Sequence, residues 1–211
     1  MGERAERELS EGAPIRIFLA SSNPGKLREY QLLVGESPIE IALLPNFHEF
    51  PLFEETAPTF AENSAGKALH YSRFAAGIVL ADDSGLVVPS LNGAPGVHSA
   101  RYAGPNATDE DRYRKLLREM KNKVGGERAA RFVCVSSLAQ NGRALVVVSD
   151  SAEGTIAMEP RGSDGFGYDP VFFFEHLGRT YAEISREEKN QYSHRGKAFR
   201  KIIAFLRGQI L

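Results

Sequence analysis

The stretch "ARFVCVSSLAQNGRALVVVSDSAEGTI", residues 130–156, decides the fold class. Two long, strand-like apolar runs are joined in it by Asn141-Gly142. An Asn-Gly pair tolerates the positive φ angles of a two-residue turn, so the runs predict an antiparallel hairpin. Around them, strand patterns alternate with helix patterns. A mixed sheet flanked by helices follows from that order, and the hairpin argues against a purely parallel sheet.

Toward the N-terminus, Pro14 to Ala20 predicts a buried strand built on Ile15, Ile17, Phe18 and Leu19. Small polar residues stop it, and Asn23 then stands as a helix N-cap with Pro24 at the first helical position. Leu27, Tyr30, Leu33 and Val34 supply that helix's apolar stripe. A capping-box pattern from Thr59 to Glu62 predicts a second helix that ends by Gly77. "IVLADDSGLVV", residues 78–88, is expected as strand, acidic turn, strand. A third helix fits "TDEDRYRKLLREM", and a final one starts near Ser193 with Ala198, Ile202, Phe205 and Leu206 on its buried face.

The 211 residues suit one large α/β unit, with 42% apolar residues to build its core. Against 27 acidic residues stand 26 basic ones, which disfavours a general nucleic-acid binder but not a small anionic ligand. Cys134 is the only cysteine, so no intrachain disulfide forms, and its place in "RFVCVSSLA" predicts a buried strand thiol. The charged start lacks the apolar core of a signal peptide, and no apolar run approaches the ~20 residues that cross a bilayer. A soluble, cytoplasmic protein is the expectation. Residues 1–13 are expected as a flexible tail and residues 14–211 as a single domain.

Two stretches suggest chemistry. In "SSNPGK", residues 21–26, a helix N-terminus with unpaired amides adds a full positive charge at Lys26 and short donors from Ser21, Ser22 and Asn23. It is not a Walker loop, because Ala20 and Leu27 stand where glycine and Ser or Thr are required. Phosphate binding and a capped, solvated turn both fit. In "ADDSG", the adjacent carboxylates Asp82 and Asp83 would need a cation such as Mg²⁺ if they converged; a plain turn also uses these residues. Glu54 and Glu55 add carboxylates in a proline-rich loop, and Asn63 and Lys67 share one face of the second helix. Three glycines surround Phe166 and Tyr168 in "RGSDGFGYDPVFF", so the aromatic packs on the core or on a planar ligand. Lys189, His194 and Arg195 gather donors around a helix start.

"SSNPGK", "FAENSAGKA", "ADDSGLVV", "GAPGVHSARYAG", "GFGYDPVFF" and "EEKNQYSHRGKA" follow one another over nearly the whole chain. In that order they resemble the inosine-triphosphatase family, the house-cleaning pyrophosphatases for dITP, ITP and XTP, and within it the bacterial dITP/XTP branch. The resemblance implies an elongated α/β fold with a central twisted mixed sheet and two lobes with a cleft between them. It also implies a homodimer, dependence on Mg²⁺, and conversion of a nucleoside triphosphate to monophosphate and pyrophosphate. By the same resemblance Ser21, Ser22, Asn23, Pro24, Gly25 and Lys26 hold the triphosphate and Lys67 neutralises it. Asp83 is the general base and a metal contact beside Asp82, Glu55 or Glu54 is the other metal carboxylate, and Ser84 touches substrate. Phe166, Gly167, Tyr168, Asp169, Lys189, His194 and Arg195 form the nucleoside pocket. Ser22 stands where some relatives have glycine, Ala57 stands where glycine is frequent, and residues 1–13 have no recognised counterpart.

Overall fold

The computed structural model describes residues 14–209; the expected tail, residues 1–13, lies outside the described residues. Seven strands form one open mixed sheet in the order β2-β1-β3-β4-β5-β6-β7. They are β1 (Ile15–Leu19), β2 (Ile39–Leu43), β3 (Ile78–Val87), β4 (Ala129–Gln140), β5 (Arg143–Ile156), β6 (Phe172–Phe174) and β7 (Arg179–Thr180). Only β2-β1-β3 is parallel; every pairing from β3 onward is antiparallel. The β4–β5 hairpin turns at Asn141 and Gly142, whose φ angles are 52° and 72°. Glycine stands at 142 for a reason: few other residues accept that φ without strain.

The helices are α1 (Pro24–Val34), α2 (Phe60–Tyr71), α3 (Asp109–Glu119), α4 (Arg186–Tyr192) and α5 (His194–Gln209). Their starts follow local chemistry. Asn23 accepts from the amides of Gly25 and Lys26, Thr59 from Glu62, and Thr108 forms a full capping box with Asp111. The last helix buries Ala198, Ile202 and Leu206 as the periodicity requires, with Phe205 partly buried beside them.

The core divides. On one face of β1 and β3, α1 and α5 bury Tyr30, Phe199 and Ile202 against Ile17 and Leu80. The other face carries α2, with Ala68 and Tyr71 against Val79 and Ala81. The far halves of β3 to β5 form a second lobe with α3, β6 and β7, centred on Leu86, Leu116, Phe172 and Tyr181. Cys134 is buried in β4 as its sequence context predicts, and burial pushes its thiol up to about 11.

One expectation fails. "ADDSG" is no turn: β3 runs unbroken from Ile78 to Val87, pairing Asp82 with Ser136, Asp83 with Val135 and Ser84 with Cys134. Turn-forming residue types sit in a central strand because tertiary contacts demand them. Gly85 is required by close approach: a Cβ there would lie 2.4 Å from Ser99 Oγ and 2.5 Å from the Gly96 carbonyl oxygen. Ser99 in turn accepts from the Leu86 amide at 3.0 Å and donates to Gly96 at 2.6 Å. Gly85→Ala should therefore cost about 1–3 kcal/mol of unfolding free energy. An unchanged urea midpoint for that variant would contradict the close-approach reading.

Candidate active site

The site begins where β1 ends. Strand β1 pairs with β3 only as far as Leu80, and the Ala20 amide takes the Leu80 carbonyl at 2.9 Å. The chain then leaves for α1, so the next outward carbonyl on that edge of β3, Asp82 O, has no strand partner on that side. Two ammonium groups take it instead: Lys26 Nζ at 3.3 Å and Lys67 Nζ at 2.9 Å. Strand order reverses at β1, and the crevice beyond the carboxyl ends of strands at such a point is the usual ligand site of open α/β sheets. Here it is a cleft of about 350 Å³ that draws residues from both lobes.

Because β3 continues through the acidic pair, Asp82 and Asp83 project to opposite faces. Asp83 faces the cleft on the α2 side with Glu55, and its Oδ2 accepts from Asn63 Nδ2 at 3.0 Å. Burial first, then the charge on Glu55, push the Asp83 carboxyl up to about 6. Glu55 is itself bound by Lys67 Nζ at 2.7 Å. Asp82 does not line the cleft; it lies fully buried between Lys26, 3.1 Å from its Oδ1, and Arg195. Burial opposes its ionisation, but Lys26, Arg195 and Lys67 hold its carboxyl well below the usual range. Glu54 points to solvent while Glu55 turns inward. Of the four carboxylates that the resemblance assigns to metal, Glu55 and Asp83 line the cleft, and Asp82 and Glu54 do not. Strand alternation accounts for the first exclusion and the exposed loop position for the second. Two carboxylates facing one partly dry cleft form an oxygen donor set that suits a hard divalent cation.

Ser21, Ser22, Asn23 and Lys26 line the same cleft, so the α1 mouth opens onto it. Pro24 and Gly25 do not; they border a smaller hollow of about 240 Å³ behind Phe166. Ser84, on the opposite face of β3 from Asp83, accepts from Arg195 Nη2 at 2.8 Å. At this end Phe166 stands half-buried with Lys189 Nζ 4.9 Å and Arg195 5.8 Å from its ring. His194 stacks on Phe132 with ring centroids 4.7 Å apart and planes within 9°. Burial, then Arg195 and Lys189, push its pKa well below the ordinary histidine value, so the imidazole is neutral. Its buried Nδ1 has no hydrogen-bond partner among the described residues. Asp169 fixes the loop by accepting from the Phe166 amide at 2.9 Å, and Tyr168 donates to the Ser99 carbonyl at 2.9 Å.

Several residues that hold this site escape a reading of the sequence. Glu29 receives Lys189 Nζ at 2.9 Å and Arg195 Nη1, joining α1 to α4 and α5. Burial would raise its carboxyl, but Lys189 and then Arg195 outweigh it and hold the pKa down to about 2. Its one sequence signal is an acidic residue beside Tyr30 on the inward stripe of α1. Arg195 is largely committed too: Nε and Nη2 meet Asp82, Nη1 meets Glu29 and Nη2 meets Ser84. Asp109, at the start of α3, accepts from the Gly167 amide at 2.7 Å and so clasps the Phe166 loop from the second lobe. Phe53 reaches the cleft because Gly66 gives it room; a Cβ at Gly66 would stand 2.6 Å from Phe53 Cζ.

Residues 17–205 match the Ham1 family. A dITP/XTP pyrophosphatase of Geobacillus kaustophilus is 48% identical over 186 residues, covering 88% of this chain and 91% of the relative. One of Desulfotalea psychrophila with the same name is 45% identical over 188 residues, covering 89% and 83%. Among solved structures, a HAM1 protein from Coxiella burnetii superposes with a TM-score of 0.82 at 43% identity, covering 92% of this chain and 99% of that one. The Ham1 protein of Staphylococcus aureus gives 0.81 at 38%, with the same coverage. A cleft at the β1 switch point, two lysines on the free edge of β3 and this sustained likeness agree: the chain belongs to the Ham1 family.

Proposed function

We propose that this protein hydrolyses non-standard purine nucleoside triphosphates, dITP, ITP and XTP, to the monophosphate and pyrophosphate with Mg²⁺. In that role it clears these nucleotides before they enter DNA or RNA. The observation that carries the reading is the convergence of Lys26 and Lys67 on one carbonyl, next to the Glu55–Asp83 pair, in a cleft that also holds Phe166 and His194. The names of the relatives, dITP/XTP pyrophosphatases, support the substrate class. A homodimer and a cytoplasmic location belong to the same proposal; no described helix is long and apolar enough to cross a membrane.

Each role follows from placement. The α1 mouth and the two lysines neutralise the triphosphate, whose charge would otherwise repel an incoming nucleophile. Glu55 and Asp83 would hold the metal, which when bound supplies Lewis-acid polarisation of phosphoryl oxygens. Asp83, facing the cleft beside Glu55, would take the proton of the attacking water; without a metal, burial and Glu55 hold its carboxyl up to about 6. Phe166 offers a stacking face to the base. The cations Lys189 and Arg195 favour a 6-oxo acceptor over the 6-amino donor of adenine, and mismatched buried donors can discriminate by about 10⁴-fold.

Incubating the protein with dITP, ITP, XTP, GTP and ATP, and measuring phosphate and pyrophosphate separately, tests the proposal. Pyrophosphate should appear with the first three in at least tenfold excess of rate over ATP, from the donor preference above. Phosphate release, or nucleotide binding without turnover, would sink it.

Asp83→Asn should lower kcat by about 10²–10⁴-fold, the range of a positioned general base. It should also stabilise the metal-free fold. The Asp83 pKa rises from 3.8 to about 6 on folding, so its charged form is the disfavoured one. The penalty is absent below pH 3.8, grows as pH rises through the window and is complete above about 6. In EDTA at pH 8 the variant should gain on the order of 1–3 kcal/mol, a gain that vanishes near pH 4. A variant less stable than wild type at pH 8 would contradict this electrostatic account.

A further inference from the structure

The geometry points to Asn63 as a positioning residue that sets the spacing between the two cleft carboxylates, Glu55 and Asp83. The inference rests on the function proposed above and extends it to a residue that does not itself line the cleft. Asn63 lies on α2, one turn before Lys67, and is 1% exposed. Its Nδ2 donates to Asp83 Oδ2 at 3.0 Å and to the Ala57 carbonyl at 3.3 Å, while Oδ1 accepts from the Ala57 amide at 3.0 Å. The amide orientation is fixed by these partners: the flipped form would set a carbonyl against a carboxylate and an NH₂ against an N–H.

One side chain therefore ties a strand residue to a loop residue. Ala57 is two positions from Glu55, whose carbonyl is held by Arg101 Nη2 at 3.1 Å and whose carboxylate is held by Lys67. The Glu55 loop is thus fastened at Asn63, Lys67 and Arg101, but only Asn63 also grips Asp83. Its hydrogen bond engages Oδ2 and fixes the carboxylate plane of Asp83, which faces the cleft. A shorter side chain at this position frees the loop and the plane together. Partners of this outer kind typically change metal affinity or activity by about 10–100-fold when removed.

The test uses Mg²⁺ alone as the first probe: the thermal shift of the full chain is followed against Mg²⁺ concentration without nucleotide. Asn63→Ala should raise the Mg²⁺ midpoint tenfold or more, and kcat on dITP should fall about 10–100-fold while KM changes less than about threefold. Asn63→Gln, which keeps the amide donor on a chain one methylene longer, should fall between wild type and Asn63→Ala, and serves if the alanine variant does not fold. Ser64→Ala is the structural control. Ser64 is equally buried on α2 and bonds to the Ala81 carbonyl and to Ser137, so it should lower the melting temperature without moving the Mg²⁺ midpoint or kcat. Asn63 variants within twofold of wild type on both readouts would overturn the inference, as would a Ser64→Ala shift of equal size. A protein inactive on every nucleotide, but with a midpoint that moves with Asn63, would refute the proposed function and leave the positioning role standing.

Discussion

A single buried carboxylate organises the site. Glu29 binds Lys189 through one oxygen and Arg195 through the other. From there the alternation continues, Lys189 to Asp169 at 2.6 Å and Arg195 to Asp82 at 3.1 Å, and ends at Lys26 on the cleft wall. These groups come from α1, β3, the Phe166 loop, α4 and α5. Isolated ions at such depth would cost several kcal/mol each, so the arrangement holds only because every charge has its opposite. Completeness, rather than the strength of any one pair, is the constraint.

That constraint has a functional consequence. Lys189, Arg195 and Lys26 are held in place before a nucleotide arrives, and fixed dipoles and charges need no reorganisation during reaction. The aromatic floor is set in the same way, since Asp169 and Asp109 take consecutive amides, of Phe166 and Gly167, from different elements. The α2 side of the cleft differs. There Asp83 sits with a raised pKa beside Glu55, an electrostatic tension that Lys67, paired with Glu55, and Lys26 relieve only in part. On the proposed function, full compensation at one end and a carboxylate pair that shares one lysine at the other match a part that binds and a part that reacts.

Signals confined to a few residues were legible in the sequence. Asn23-Pro24, Thr59, Thr108 and Asn141-Gly142 each satisfy backbone groups within a turn of themselves, and each lies where its chemistry puts it. The lysines and the Phe166 loop also follow from local pattern joined to family likeness. "ADDSG" misleads because Asp, Ser and Gly are turn formers, whereas here two of them answer to charges and one to the close approach of Ser99. Glu29 is invisible for a similar reason: its partner Lys189 is 160 residues away in the chain. The short strands β6 and β7 carry too few residues for a period to stand out.

On the proposed function, the lysine-bearing end of the cleft holds the departing pyrophosphate while water attacks the α-phosphorus. Hydrolysis of dITP in H₂¹⁸O, with the products resolved by mass spectrometry, tests this most directly. One ¹⁸O atom should appear in the deoxyinosine monophosphate, and the pyrophosphate should remain unlabelled. Label in pyrophosphate, or release of labelled phosphate with a diphosphate product, would place the attack elsewhere and contradict the account.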